Sequence, residues 1–106
     1  MTISEYQALA RRTQNKALKW HDAKEHALCG LAAEVGEIHA LHQKAHQGHP
    51  LFLSNLQEEL GDLMWFVGEL CDVYGLDLEE ICAQNIEKLR RRYPEGFDEQ
   101  KSLYRR

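Results

Sequence analysis

Four carboxylates stand out in this chain by their spacing. Glu34-Val35-Gly36-Glu37 and Glu58-Glu59-Leu60-Gly61-Asp62 each hold two acids three residues apart, which makes them neighbours on one face of a helix. Like charges at that separation repel, and neither pair has a Lys or Arg four residues away to relieve it. The compensation has to come from outside the helix. A hard divalent cation with oxygen ligands supplies it: Mg²⁺, with Mn²⁺ as a substitute, binds carboxylates on one side and leaves positions for water and phosphate oxygens. A metal so held points to phosphate chemistry, which calls for cationic and amide groups elsewhere. Asn85-Ile86-Glu87-Lys88, followed by Leu89-Arg90-Arg91-Arg92, offers them at one helix end. A single E-x-x-E pair is common on solvated faces, and basic residues suit any helix C-terminus. Two acidic pairs on matching flanks are what set this chain apart.

Four helices are expected to position these groups. Ser4-x-x-Gln7 reads as a capping box opening a first helix that runs to about Trp20. A second begins near Asp22, carries Leu28, Leu31, Val35, Ile38 and Leu41 on one stripe, and stops at Gln47-Gly48-His49-Pro50. Ser54-x-x-Gln57 caps a third, with the stripe Leu56, Leu60, Leu63, Val67 and Leu70 and Gly75 at its end. Asp77-x-x-Glu80 opens a fourth through Ile81, Ile86 and Leu89, ended by Pro94. Residues 95–106 form a polar, partly extended tail. The expectation is one all-α, four-helix bundle-like domain with its core at about residues 4–94. Apolar residues on more than one face, Trp65-Phe66 among them, predict an oligomer.

At about 100° per residue, Glu34 and Glu37 fall to one side of the second stripe, and Glu59 and Asp62 to the same side of the third. Antiparallel packing with the stripes facing brings both edges together. Residues level across a hairpin share a constant sum of sequence numbers. Glu34 with Asp62, and Glu37 with Glu59, share one centred on the Gly48 turn. All four acids are therefore expected at one level, beside the core, with Glu58 farther round and solvated.

Composition narrows the class of protein. A chain of 106 residues with 43% apolar content and net charge −4 supports one domain and excludes a separate cofactor-binding fold. No apolar run approaches the roughly 18–20 residues that span a bilayer, and Met1 to Arg12 has no signal-peptide core, so a cytosolic protein without a membrane partner is expected. The acidic total argues against general nucleic-acid binding, yet it hides a split. Seven of the thirteen basic residues lie from Lys88 to Arg106, and nine of the seventeen acids from Glu58 to Glu87.

Other residues admit two readings. Trp20 and His21, near the first helix junction, either stack on a nucleobase or close the core. Lys16 and Lys19 either reach phosphates or are solvated. His39, His42, His46 and His49 recur at helical spacing, as a transition-metal stripe or as a polar helix end. Gly36 and Gly61 suit close approach of a third helix. Cys29, Cys71 and Cys82 lack C-x-x-C spacing and read as small buried hydrophobes without disulfides.

Taken together, Gly30-Leu31-Ala32-Ala33-Glu34-Val35-Gly36-Glu37, Glu58 to Leu63 and Asn85 to Phe97 resemble the MazG-like nucleoside triphosphate pyrophosphohydrolases, from about Leu28 to Phe97 in order and spacing. The resemblance implies Mg²⁺ binding by Glu34, Glu37, Glu59 and Asp62, with Glu37 or Glu34 activating water. It also implies phosphate contacts from Asn85 and Lys88, with Arg92 beside them. Such enzymes hydrolyse (d)NTPs to the monophosphate and pyrophosphate as homodimers or homotetramers, with active sites near subunit interfaces. Ala33 departs from the Glu that many members carry before the first motif. The competing readings are a phosphoribosyl-ATP pyrophosphohydrolase-like enzyme and a non-catalytic helical interaction protein.

Overall fold

A computed structural model describes residues 1–104; Arg105 and Arg106, the last two of the basic series, lie outside the described residues. Every element among those described is a helix: α1 (Ile3–Arg11), α2 (Trp20–His46), α3 (Leu53–Val73), α4 (Leu78–Arg92) and the short α5 (Glu99–Leu103). The domain is all-α, with four principal helices as expected. Gly48 and Gly75, at φ 95° and 66°, turn the chain after α2 and α3 in a conformation that L side chains avoid.

Three local signals resolve differently from their sequence reading. The capping box of α1 is Thr2 with Glu5, not Ser4 with Gln7: the Thr2 hydroxyl accepts from the Glu5 amide at 3.0 Å, and the Glu5 carboxylate accepts from the Thr2 amide at 3.3 Å. The helix then ends at Arg11, well short of Trp20. Thr13 donates its hydroxyl to the Ala10 carbonyl, and Asn15 accepts from the Ala17 amide, so side chains there compete with the helix ladder. Ser54 caps nothing, because α3 starts at Leu53 with Phe52 in the N-cap position, two residues before Ser54. In the tail, expected to be partly extended, Asp98 caps the short α5 by accepting from the Gln100 and Lys101 amides.

Gln7 is instead buried in a polar knot. Its Nε2 donates to Asp72 Oδ1 at 2.8 Å and to the Leu76 carbonyl at 3.0 Å, while its Oε1 accepts from the Leu78 amide at 2.8 Å. Arg11 and Gln14 also donate to Asp72, at 2.8 and 2.6 Å. Burial pushes the Asp72 carboxyl up, but the hydrogen bonds from Arg11, Gln7 and Gln14 outweigh it and hold it below the usual carboxylate range. This knot joins α1 to the end of α3 and the start of α4.

The antiparallel α2–α3 pair has a register that can be read from its contacts. Trp20 Nε1 donates to the Val73 carbonyl at 2.8 Å, and His26 Nδ1 meets the buried Glu69 carboxylate at 2.7 Å. The Phe66 ring lies against Gly30, in the space a Cβ would need. Gly30 and Phe66 are symmetric about Gly48, as are Glu34 and Asp62. Trp65 donates to the Thr13 hydroxyl at 2.7 Å and packs edge-on against Phe66, pinning the α1–α2 turn. Gly36 and Gly61 face open space, so among the described residues no third helix approaches them.

Little apolar surface is covered. Ala27, Cys71 and Leu78 are the buried hydrophobic residues, and among the described residues no large side chain is fully enclosed. Leu28, Val35, Leu60, Met64, Ile81, Ile86 and Leu89 are exposed, and so is Cys29, contrary to its reading as a buried hydrophobe. α4 makes its main helix contacts with α1, less extensive than those of α2 with α3. The radius of gyration is 17.2 Å, against about 13 Å for a compact chain of this length.

The Gly30–Phe66 contact gives a sharp test. Alanine in place of Gly30 gains about 1 kcal/mol of helix propensity, but its Cβ collides with the ring, and overpacking costs about 1–3 kcal/mol. The expected outcome is a lowered urea midpoint for Gly30→Ala, with the loss reversed when Phe66 is also shortened to Leu. A midpoint at or above that of the parent chain, measured by circular dichroism, contradicts the packing.

Candidate active site

Residues of α2 with reduced exposure recur at Ala27, Leu31, Glu34, Ile38, Leu41 and Ala45, a spacing of three and four that marks the seam against α3. Leu28 and Val35 belong to the exposed side. The helix is thus rotated from its expected setting, and Glu34 occupies the seam itself and does not flank it. Gly30 under Phe66 and His26 against Glu69 set that rotation. On α3, Glu59 is likewise half-buried, while Asp62 lies one turn on at the exposed edge.

Glu34, Glu59 and Asp62 each bring a carboxylate oxygen to within 4.8 Å of the others. One oxygen of Glu34, Oε2, is buried and has no hydrogen-bond partner. A carboxylate in that position is unfavourable, and the Glu34 carboxyl responds by titrating at about 7. The causes, in order, are a hydrogen bond shared with Glu59, burial, and the negative charges of Glu59, Asp62 and Glu37. Such a group is short of positive charge. The donor set is all oxygen, compact and anionic, which fits Mg²⁺ or Mn²⁺ and not a thiolate- or imidazole-loving metal.

The remaining predicted residues are placed variously. Glu37, one turn beyond Glu34, is exposed and outside the three-oxygen group, though its charge reaches Glu34. Glu58 is exposed, as expected. Asn85 and Lys88 are exposed on α4, Arg92 is half-covered, and none makes an ion pair or side-chain hydrogen bond among the described residues. Trp20 is engaged by Val73, lies edge-on to Tyr74 at 5.6 Å and carries Lys24 over its ring. It sits fourteen residues before Glu34 in α2, a rise of roughly 21 Å, so it closes the far end of the hairpin. His21 is exposed at that same end. Lys16 opens, with Arg11 and Gln14, onto a cleft of about 660 Å³ around Asp72. That carboxylate already has three donors, which leaves the Glu34 group as the stronger site. Tyr6 was not foreseen. Burial and the nearby Asp62 charge push its phenol up, which puts α1 beside the acids. Nothing in the sequence of α1 marks that proximity.

A helix hairpin presenting three clustered carboxylates, one with an orphaned oxygen, is suited to a divalent-metal site. Residues 23–97 match the MazG nucleotide pyrophosphohydrolase domain, and the chain belongs to that family. No curated protein and no solved structure matches it. No described helix is long and apolar enough to cross a membrane.

The Glu34 carboxyl predicts a pH dependence. Its folded value, about 7, lies above the ordinary 4.5, so the native state holds a proton that the unfolded chain releases. That contribution is complete below about 4.5 and is lost as pH rises through about 7. In EDTA, the stability difference between the parent chain and Glu34→Gln should move against the parent from pH 4.5 to 8. Paired urea titrations at several pH values measure it, and a flat difference contradicts the cluster.

Proposed function

We propose that this chain hydrolyses nucleoside and deoxynucleoside triphosphates to the monophosphate and pyrophosphate in a Mg²⁺-dependent reaction. The observation that carries this reading is the gathered Glu34, Glu59 and Asp62 with the unpartnered Glu34 oxygen, in a chain of a nucleotide pyrophosphohydrolase family. Those three carboxylates would hold the ion. When bound, Mg²⁺ supplies charge neutralisation for the phosphate oxygens and acidifies a coordinated water. Water adds to one phosphorus of the α–β anhydride, the bond from that phosphorus to the bridging oxygen breaks, and the monophosphate and pyrophosphate separate, one of them keeping the bridging oxygen. Glu37, exposed at the edge of the cluster, is suited to orient that water and accept its proton. Asn85 donates hydrogen bonds, and Lys88 and Arg92 contribute positive charge, to the phosphates.

An oligomer completes this arrangement. The surface of one chain is 8179 Å², about 2,000 Å² more than a compact monomer of this mass exposes, and that excess is the size of an obligate interface. Within one chain α4 makes its main helix contacts with α1, and Ile81, Ile86 and Leu89 are uncovered. A homodimer or homotetramer covers those side chains and lets α4 of one copy bring Asn85 and Lys88 toward the carboxylates of another.

Pyrophosphate release from the eight common (d)NTPs and dUTP, assayed with and without Mg²⁺, tests the reading. Glu34→Gln, Glu37→Gln and Asp62→Asn should each lower kcat by at least about 100-fold. Lys88→Ala should act mainly on KM. Absence of hydrolysis with every nucleotide, in a chain shown to be folded, favours the interaction protein instead.

A further inference from the structure

The last turns of α2 carry metal-ligating side chains that the carboxylate site does not use. His39, His42 and His46 fall three and four residues apart on one helix face and, with Ile38 and Gln43, line a surface cleft of about 550 Å³. All three are exposed, and among the described residues none is paired with an acid. The first turn of α3, across the hairpin, holds no acidic residue. The donors here are imidazole nitrogens, the opposite in kind from the oxygens around Glu34, which lies eight residues back, a rise of roughly 12 Å.

His42 is already set for ligation. Its Nδ1 lies 2.8 Å from the Ile38 carbonyl oxygen. A carbonyl only accepts, so Nδ1 carries the hydrogen and the neutral ring directs the Nε2 lone pair away from the helix backbone. Metal-binding histidines are oriented by this kind of bond. His46 stands four residues on, with its Cβ about 5–6 Å away along the same face, near enough for two imidazoles to share one ion at about 2.0–2.1 Å. The three rings are not drawn together in the present rotamers. Exposed side chains change rotamer at small cost, so convergence needs no movement of the backbone.

We propose that this face binds a borderline divalent transition-metal ion of the zinc class, with His42 and His46 as paired nitrogen ligands and His39 as a third. The site is separate from the Mg²⁺ carboxylates and independent of whether the chain hydrolyses nucleotides. Imidazole favours such ions and discriminates against Mg²⁺, so the two sites select different metals on one helix.

Zn²⁺ titrated calorimetrically into the whole chain, in millimolar Mg²⁺ to hold the carboxylate site, tests the assignment. One ion per chain at micromolar affinity is expected. His42→Ala and His46→Ala should each weaken it by at least about tenfold, while Gln43→Ala and Glu34→Gln leave it unchanged. Thermal melts verify that each variant is folded. No Zn²⁺ binding by the parent chain overturns the proposal. So does binding that survives both histidine substitutions, or binding that disappears in Glu34→Gln.

Discussion

The register of α2 against α3 is the constraint from which the site follows. Two contacts hold it: the Phe66 ring fills the space left by the missing side chain of Gly30, and the buried Glu69 carboxylate meets His26 at 2.7 Å. Neither contact tolerates much slippage. A shift of one residue would put a Cβ into the ring, and a shift of one turn would leave a buried carboxylate without its partner. Once these two are in place, the position of Glu34 in the seam is no longer free. It arrives opposite Glu59 and Asp62 whatever its own preference.

That preference runs the other way. Three acids within 4.8 Å of one another, one with an unpartnered oxygen, lower the stability of the hairpin that carries them, and Glu34 shows the strain by holding its proton up to about 7. The polar knot at the other end of α3 has the reverse character. Asp72 collects three donors and is held ionised, and Gln7 spends both ends of its amide on three partners. One carboxylate is satisfied by the chain and organises α1 and α4. The other group is left short of positive charge, which is how a binding site differs from a structural one.

Much of the framework was legible in the sequence. Helix stops at Gly48 and Gly75 follow from the left-handed backbone that glycine alone takes readily, and the hairpin register about Gly48 follows from helical spacing. Legibility failed where two residues compete for one role. Ser4 looks like a cap, yet Thr2 is the residue that reaches the right amide; Gln7 looks like half of a capping box because its distant partners Asp72, Leu76 and Leu78 are invisible along the chain. The apolar stripe of α2 misled for a related reason. Leu28 and Val35 are apolar, as expected of a seam, yet this chain leaves them exposed.

What the sequence determined by itself was chemical: which carboxylates stand a turn apart, that nothing local neutralises them, and that amide and basic groups sit together near the fourth helix end. Spacing of 3.6 residues per turn is a local property, so it survives without knowledge of the fold. What only the tertiary structure decided was rotational and spatial. It set Glu34 in the seam and Glu37 outside it, brought Tyr6 beside Asp62, spent Trp20 on Val73, and left Asn85 and Lys88 exposed on a helix held chiefly by α1. Those outcomes rest on a glycine under a phenyl ring and a glutamine with three partners. Both are contacts between residues far apart in the chain, and no local pattern encodes them.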